Sequence, residues 1–512
     1  MTDQWAKAPA PRHQLVLVSQ TADDMLPASH PIRLLDDFLA RLDWRPWERR
    51  YDGHRGQPPI HPRLIAGAIL YGLMRRIRSS RDLEEATRTR LDFLWFLDGR
   101  AVDHSTFAKF RTRHELELKD LSRQIARELV VRWGGELLEL VLDGTRVRAN
   151  ADRREAHKAE HLEKLVAACT EQLNTKLAAL ASEDTLEEEV GALRQEVAAL
   201  EEKSENLQKA LDVARERNEV QRRKQGPGCK GVRVAPSDPE ATLLPNKEGG
   251  FAPNYTPTAA VDAATGVILS AGVVAGGEEC AAIAQAVEDC QETLARPPDR
   301  VLGDGGFASG PDLEKLEAQG IDAYIPTGGD LSERNPANRP DPTQAVPAQK
   351  REKLPLFRGK LAPSAFLYDA ENDLYHCPMG QTLARTSQKH YHRDGVPYHV
   401  YACPGKAGCP LAAQCVGGQA DHRQVSRDQY QDVRDRTARR MATAQGRAIY
   451  RKRAPSIEGT FGVIKQALQV RQFLLRSLAK VRIEWHWVCG AYNLRKFLSL
   501  LAARPAAGGA AN

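Results

Sequence analysis

The sequence lacks any long apolar run. Its best stretch, "LIAGAIL" at residues 64–70, falls far short of the roughly 20 residues that a membrane-spanning helix needs. The first twenty residues also lack the apolar centre of a signal peptide. We therefore expect a protein that is neither exported nor inserted in a membrane and that stays in the cytoplasm.

Cysteine is scarce and odd in number, with nine residues in a chain of 512. Without an export signal, such a set argues against a framework of disulfides. Five of the nine are predicted to be buried or incidental thiols, namely Cys169, Cys229, Cys280, Cys290 and Cys489. The remaining four cluster among Pro and Gly turns, namely Cys377, Cys403, Cys409 and Cys415.

Four thiolates on tight turns could close a tetrahedral zinc site, with His376 and His422 as substitute ligands. Free thiols in a reducing cytoplasm are the alternative.

The excess of positive charge is small, at +6, but its distribution is uneven. Acidic residues crowd 183–205, whereas basic residues gather at 451–453 and at 222–233, a stretch that includes Arg222, Arg223 and Lys224. This pattern is typical of a polyanion-binding surface beside an acidic spacer. Two solvated faces would give the same pattern, so charge alone leaves both interpretations open.

Helical periodicity covers residues 30–130, where apolar residues recur at helical spacing. Within "DHSTFAKFRTRHELELKDL" (103–121), Ser105 or Thr106 is predicted to cap a helix whose early turns carry Lys109 and Arg111. These cations suit contacts with phosphates, although a capped surface helix fits the same residues.

A heptad pattern marks the stretch from about 155 to 224 as a coiled-coil segment. Its apolar seam consists of Leu186, Val190, Leu193, Val197, Leu200, Leu207 and Leu211. Thr185 and Glu188, spaced as a capping box, predict a break at which two helices fold back as a hairpin. The pattern leaves open whether the partner helix belongs to the same chain or to another copy.

Strand signals return after this segment. "YTPTAAVDAATGVILSAGVVA" (255–275) predicts a β-hairpin, and two further short strands are predicted at 299–309 and 322–326. Pro and charged residues mark 328–365 as a linker before the Cys-bearing segment, and long helices finish the chain from 428 to about 502.

Two aspartates share one local pattern. Asp143 in "LELVLDGTRVRAN" (138–150) and Asp304 in "DRVLGDGGFAS" (299–309) each end an apolar strand and precede glycine. Carboxylates at the rim of a buried sheet can hold Mg²⁺, and two such ions support phosphoryl transfer. Because Asp followed by Gly is also common turn chemistry, a turn role is the alternative for either residue.

A third carboxylate lies in "YRKRAPSIEGTFGVIKQ" (450–466). Pro455 is predicted to start a helix that carries Glu458 and Lys465 near one face, with Arg453 just before it. Cations beside a metal-binding glutamate suit a phosphodiester substrate. A surface helix of mixed charge is the alternative.

These motifs occur in one order along the chain together with "HPRLIAGAILYGLMRRIRSSRDLEEA", "DHSTFAKFR", "RSLAKVRIEW" and "YNLRK". Over about residues 30–500, the series resembles the successive blocks of bacterial insertion-sequence transposases of the DDE class. The resemblance implies an α/β fold with a ribonuclease H-like core, in which helices flank a mixed sheet.

The resemblance also assigns the site. Asp143, Asp304 and Glu458 would be the catalytic carboxylates that bind two Mg²⁺ (or Mn²⁺) ions. Three companion positions would hold DNA phosphates, namely Tyr450, Arg453 and Lys465. Glu484, in "IEW", is a rival third carboxylate and is ranked lower, because its bulky apolar neighbours favour a packed helix.

Together, these patterns divide the chain into an N-terminal tail (1–29), a helical DNA-binding domain (30–132), a core that starts with 133–154 and 235–327, a coiled-coil insertion with a basic end (155–234), a linker and Cys-bearing insertion (328–427), C-terminal helices that complete the core (428–502) and a disordered tail (503–512).

The implied reaction is cleavage and joining of DNA at insertion-sequence ends, in which water frees a 3′ hydroxyl that then attacks target DNA. The implied partners are terminal inverted repeats and target DNA, bound by a homodimer associated with the nucleoid. The alternatives are an inactive DNA-binding protein derived from a transposase, a related metal-dependent nuclease, and a coiled-coil scaffold.

Overall fold

The computed structural model describes residues 21–51, 58–181, 187–226, 228–245, 249–276, 282–386, 390–391, 395–417 and 420–502, without the side chains of 187–189, 224 and 225. Several predicted features lie outside this description, namely the tails at 1–20 and 503–512, the capping box of Thr185 and Glu188, Leu186, Cys280 and the side chain of Lys224. Helices and strands are mixed, as the predicted α/β class requires. None of the helices in these ranges is long and apolar enough to cross a membrane.

Contacts divide the chain into a smaller unit, Met1–Leu121 with Phe497–Asn512, and a larger unit, Ser122–Lys496. The smaller unit is built from helices α1 (Ala22–Met25), α2 (Pro31–Ala40), α3 (Arg45–Glu48), α4 (Pro62–Met74), α5 (Ser80–Thr89), α6 (Leu91–Phe96) and α7 (His104–Arg113), a 3-10 turn (Arg49–Tyr51) and the start of α8 (Glu115–Trp133). In its core the buried Trp47 ring stacks on Phe110, with ring centroids 5.2 Å apart.

The cap of α7 differs from the prediction. The carboxylate of Asp103 accepts a hydrogen bond from the backbone N–H of Ser105 at 2.7 Å, so Asp103 is the N-cap. The prediction of Ser105 or Thr106 is wrong, because both residues already lie inside the first turn and the capping oxygen comes from the residue before the helix.

The larger unit holds strands β1 (Glu139–Gly144), β2 (Val147–Arg148), β3 (Thr242–Pro245), β4 (Phe251–Asp262), β5 (Ile268–Val274), β6 (Arg300–Leu302), β7 (Asp322–Tyr324), β8 (Leu356–Phe357), β9 (Lys360–Leu361), β10 (Leu367–Asp369), β11 (Leu374–His376), β12 (Thr382–Arg385), β13 (His390–Tyr391), β14 (Pro397–Ala402) and β15 (Gln424–Asp428). Its helices are α9 (Ala159–Leu180), α10 (Glu187–Gln225), α11 (Ala282–Leu294), α12 (Gly310–Ala318), α13 (Ala412–Cys415), α14 (Gln431–Ala442), α15 (Ala444–Tyr450), α16 (Arg453–Gly462) and α17 (Leu478–Ala502). Short 3-10 turns lie at Arg153–Glu155, Gly305–Phe307, Ala348–Lys353 and Pro363–Ala365, and a π-helical turn lies at Val463–Ala467.

The main sheet is mixed. The strand β4 pairs with β1 and β5 in antiparallel fashion, whereas β1, β6 and β7 run parallel, which gives the order β5-β4-β1-β6-β7 with β2 and β3 also on β4. The hairpin predicted at 255–275 is confirmed as β4 and β5. Buried side chains of the sheet, such as Val141 and Leu302, share one core with Ile457 of α16 and Trp485 of α17. This core holds the last helices of the chain against the sheet.

The helices α9 and α10 run antiparallel along each other. Ion pairs join Glu163 to Arg215 at 2.7 Å and Lys176 to Glu196 at 2.6 Å, and Leu162, Leu207 and Leu211 are among the buried side chains between the helices. The helix that partners α10 in this structure therefore comes from the same chain.

The strands β10–β15 form a second, six-stranded sheet around the Cys-bearing segment. Its core also takes buried side chains from the stretch that the sequence marks as a linker, including Ala337, Val346 and Leu354. Proline and charged residues dominate the composition of that stretch, but its few apolar side chains pack into this core. The stretch is therefore ordered against the second sheet.

A buried ion-pair network joins the first strand to the last helices. Glu139, at the start of β1, is 8% exposed. Its carboxylate lies 2.9 Å from Arg300 of β6 and 3.1 Å from Lys452, which directly precedes α16. Burial alone would raise the pKa of Glu139, but hydrogen bonds from Arg300 and Lys452 outweigh it and lower the pKa from 4.5.

Replacing Glu139 by Gln is expected to lower the free energy of unfolding at neutral pH by about 1–3 kcal/mol, because two cations lose their partner. Because the pKa of Glu139 is lower in the folded state than in the unfolded state, its carboxylate stabilises the fold at pH values above the unfolded-state pKa. This stabilisation is lost as the pH falls through the folded-state pKa. The deficit of the variant should therefore shrink as the pH falls below 4.5. Urea unfolding at neutral pH and at about pH 3 measures it. The exposed Glu136→Gln is the control, and an equal loss at both pH values would contradict the expectation.

Candidate active site

Asp143 and Asp304 lie at matching positions of neighbouring strands. The strands β1 and β6 are parallel, and Val141 pairs with Leu302, so each aspartate stands two residues beyond this pair. Neighbouring strands are about 4.8 Å apart. The backbone therefore brings both carboxylates to one edge of the sheet, although they are far apart in sequence.

Each aspartate also holds its own turn. The Oδ1 atom of Asp304 accepts a hydrogen bond from the N–H of Gly306 at 2.8 Å, and Oδ1 of Asp143 accepts one from Gly144 at 2.9 Å. The turn role that the sequence offered as an alternative is thus compatible with a site at the same position. These bonds fix the direction of both carboxyl groups.

Arg453 lies between the two aspartates. Its Nη2 atom lies 3.1 Å from Asp143 Oδ1 and 3.8 Å from Asp304 Oδ2, and its side chain is 14% exposed. The helix α16 begins at Arg453, so the prediction that it begins at Pro455 is wrong. Proline is tolerated throughout the first helical turn, where its missing N–H costs no hydrogen bond, and it therefore does not mark the first residue.

Glu458 stands five residues after Arg453 on α16. Its neighbour Ile457 is fully buried and Phe461 is nearly so, whereas Glu458 itself is exposed. The apolar side of α16 is packed into the core of the main sheet, and this fixes the side from which Glu458 projects.

Charges of the site act on one another. Burial raises the pKa of the Asp143 carboxyl above its ordinary 3.8, and the Arg453 guanidinium opposes that rise. The carboxylates of Asp304 and Glu458 raise it further. Burial also raises the pKa of the Tyr450 phenol, Arg453 again opposes the rise, and both aspartates add to it. All five side chains therefore share one electrostatic environment.

Lys465 reaches the same edge of the sheet from the π-helical turn Val463–Ala467. Its Nζ donates hydrogen bonds to Thr145 Oγ1 at 2.6 Å and to the carbonyl of Arg146 at 2.9 Å. Turns of this kind are rare and are frequent at functional sites. The sequence predicted a regular helix here, and nothing in its periodicity signals the wider turn.

The rival carboxylate Glu484 has a structural role. It accepts hydrogen bonds from the backbone N–H groups of Leu474 at 3.0 Å and Leu475 at 2.9 Å. These bonds hold the loop before α17.

The other predicted DNA contacts lie elsewhere. In the smaller unit, Lys109 is exposed and Arg111 donates to the carbonyl of Arg78 at 2.6 Å. Near the end of α10, Arg222 and Arg223 are exposed, and Arg223 forms an ion pair with Glu219.

The four clustered cysteines line one cavity of about 430 Å³. Cys377 and Cys415 are buried, and Cys403 and Cys409 are half-buried. Burial raises the pKa of the Cys415 thiol to about 11. The two substitute ligands have other contacts: His376 faces Asp369 at 3.8 Å, and His422 lies 3.1 Å from the side-chain amide of Gln424.

In the described part of the chain, three metal-type ligand atoms lie within 4.8 Å of one another only at Glu84, Asp103 and His104. Here His104 Nδ1 is 2.7 Å from Glu84, which also pairs with Arg88, and Asp103 caps α7. These contacts account for the group as a hydrogen-bonded network at the start of α7. Neither the three candidate carboxylates nor the four thiols meet the same distance.

Sequence reasoning missed the residues that support the site. Glu139 and Lys452 tie β1 to the start of α16, and Thr145 receives Lys465. A charged residue at the head of an otherwise apolar strand, as in "ELVLDG", was the available signal for Glu139.

Comparison with known families places similarity at both ends of the chain. A family model described as "Transposase DDE domain" matches residues 376–498, which include Tyr450, Arg453, Glu458, Lys465 and the four clustered cysteines. A second, described as "Transposase domain (DUF772)", matches residues 20–113. Asp143 and Asp304 lie outside both matches. No curated protein and no solved structure matches the chain.

Proposed function

We propose that the chain, which matches transposase family models over residues 376–498 and 20–113, is a DDE transposase that cleaves and joins DNA at the ends of an insertion sequence by metal-dependent phosphoryl transfer. The observation that carries this proposal is the position of Asp143 and Asp304 at adjacent strand ends, with Arg453 between them. Glu458 projects from the helix that Arg453 begins.

The order β5-β4-β1-β6-β7, antiparallel at first and then parallel, supports the proposal of a ribonuclease H-like core. In that arrangement the carboxylates come from the first strand, from the next parallel strand and from a later helix. The antiparallel pairing of α9 and α10 similarly supports a coiled-coil insertion folded as a hairpin.

The donor set fits a hard divalent cation. Burial raises the pKa of the Asp143 carboxyl, and the nearby carboxylates of Asp304 and Glu458 add to that rise. Carboxylate oxygens are the ligands that Mg²⁺ and Mn²⁺ prefer. Asp143, Asp304 and Glu458 would hold the ions, which when bound would activate the attacking oxygen and stabilise the leaving one.

Positive groups around the carboxylates suit a DNA phosphate. The Nε atom of Arg453 is buried and has no hydrogen-bond acceptor among the described residues, so this guanidinium retains an unused donor beside its contacts with the two aspartates. Lys465 and Tyr450 stand at the same edge, with Lys465 already fixed by Thr145. These residues would position the phosphodiester, and the carboxylates would orient the attacking water or 3′ hydroxyl.

The experiment that tests the function uses the purified full chain and a labelled duplex of the terminal inverted repeat beside its own gene. With Mg²⁺ or Mn²⁺ we expect cleavage at the repeat boundary and joining to added target DNA. Asp304→Asn should reduce cleavage by about 10³-fold or more, whereas the exposed Glu314→Gln on α12 should cut like wild type.

Three other outcomes would overturn the proposal in distinct ways. Binding without cutting in every variant would favour an inactive DNA-binding protein, and cutting without joining would favour a nuclease. Equal cutting of a scrambled repeat would contradict recognition of an element end. Light scattering of the same complex counts the chains on DNA, where we expect two because two ends must be held together.

A further inference from the structure

We propose that Cys377, Cys403, Cys409 and Cys415 form a structural zinc site that closes the second sheet. All four side chains line the same cavity of about 430 Å³, although they come from separate local structures. The site is distinct from the carboxylates at the edge of the main sheet, and it does not depend on the proposed reaction.

Cys377 stands on a tight turn after β11. Its backbone N–H donates to the carbonyl of Gln381 at 2.8 Å, and its carbonyl accepts from Gly380 at 2.9 Å. Gly380 has φ +79°, and a Cβ atom there would meet the carbonyl oxygen of Thr343 at 2.0 Å, so this turn requires glycine. The N–H of Met379 points at Cys377 Sγ at 3.3 Å. A donor aimed at sulfur stabilises a thiolate, which is the form that binds metal.

The other three cysteines lie on separate elements that line the same cavity. Cys403 directly follows β14, and Cys409 ends a turn in which its N–H donates to the carbonyl of Lys406 at 3.2 Å. Cys415 ends the short helix α13. A strand end, a turn and a helix end thus bring these three thiols to the cavity that Cys377 also lines. Gly408, on the loop between Cys403 and Cys409, has φ +69°, a conformation that suits glycine.

The surroundings suit zinc bound by four thiolates. Such a centre retains two negative charges, and the cavity is lined by two cations, Lys406 and Arg423. Arg423 is held in place by hydrogen bonds to the carbonyls of Leu361 at 3.0 Å and Cys415 at 3.4 Å. Four sulfur ligands select zinc over the hard cations that the carboxylates prefer.

The site would stabilise a sheet with a modest core. The buried side chains of the second sheet form a separate cluster from those of the main sheet, and Cys377 and Cys415 are part of it. Because β15 continues into α14, this sheet directly precedes the helices that lead to Arg453 and Glu458. A zinc ion would therefore stabilise the sheet from which the chain enters α14.

The test is the zinc content of the full chain, purified from zinc-supplemented cells and measured by mass spectrometry of the metal. We expect one equivalent of zinc in wild type and in the control Cys229→Ser, whose half-buried thiol lies outside the cluster. The double variant Cys403→Ser/Cys409→Ser, which alters the two less buried thiols, should lose zinc by about tenfold or more.

A second measurement keeps the proposal testable if the double variant fails to fold. Wild type stripped of metal and titrated with Co²⁺ should develop the thiolate-to-cobalt charge-transfer and tetrahedral ligand-field bands of a four-sulfur site. Wild type without bound zinc, absence of these bands, or full zinc retention in a folded double variant would overturn the proposal. None of these outcomes bears on DNA cleavage, so they leave the proposed function unaffected.

Discussion

Replacing Asp143 by asparagine is expected to lower the rate of metal-dependent cleavage of end DNA by about 10³-fold or more while the protein stays folded. Asparagine keeps the size of the side chain and an oxygen that can accept from the N–H of Gly144, as Asp143 does at 2.9 Å. It removes the negative charge that would bind a divalent cation and that now attracts Arg453 at 3.1 Å. The change therefore acts on the chemistry and leaves the strand end in place.

The same variant should be as stable as wild type at neutral pH, or more stable. The raised pKa of Asp143 means that the folded state binds its proton more tightly than the unfolded state does. At pH values below 3.8 the carboxyl of Asp143 is protonated and its burial costs no stability. As the pH rises through the folded-state pKa, the buried carboxyl ionises and the free energy of unfolding falls. Asparagine carries no charge to bury, so this loss disappears.

Cleavage rates and urea unfolding of one preparation measure both effects together. The exposed Glu136→Gln, a few residues upstream, is the matched loss of a carboxylate and should change neither. An Asp143→Asn protein that is folded and cuts within about tenfold of wild type would remove this residue from the metal site.

Truncating Trp485 to alanine is expected to lower the free energy of unfolding by about 3–5 kcal/mol. The side chain is fully buried on α17, in the core that the main sheet shares with α16. Its indole N–H also donates to the carbonyl of Thr258 on β4 at 3.0 Å, and its ring meets Phe473 edge-on at 6.5 Å between centroids. Alanine would leave both a cavity and a lost hydrogen bond beneath the sheet.

Two further variants separate these contributions. Trp485→Phe fills most of the volume without the donor, so it should lose roughly 1–3 kcal/mol. The exposed Lys480→Ala on the same helix should lose less than about 0.5 kcal/mol. Urea unfolding followed by circular dichroism measures all three. A loss below about 1 kcal/mol for Trp485→Ala would contradict the packing of α17 against the sheet.

The sequence was informative where local pattern and position agree. Asp143 and Asp304 could be selected because each stands between an apolar strand and a glycine, which is a position at the end of a strand. The parallel pairing of β1 and β6 brings both positions to the same edge of the main sheet. The hairpin of β4 and β5 was equally readable from its β-branched runs and turn.

Long-range contacts could not be read from the sequence. The ion pairs of Glu139 with Arg300 and Lys452 join strands and helices that are distant in sequence. The π-helical turn that carries Lys465 depends on packing, because local propensity does not encode an extra residue in a helix. Likewise, the local sequence around Ala337 and Val346 predicts a linker, because the core that buries these side chains is formed by strands that are distant in sequence.

The position of the second sheet between β7 and α14 has a consequence for synthesis. The ribosome synthesises the chain from its N-terminus, so α1 to α7, the α9–α10 hairpin and both strand-end aspartates emerge before Arg453 and Glu458. The entire second sheet must emerge in the interval. A nascent or prematurely terminated chain thus carries two of the three carboxylates without the helix that brings the third. Completion of translation is in this sense the last step in assembling the candidate site.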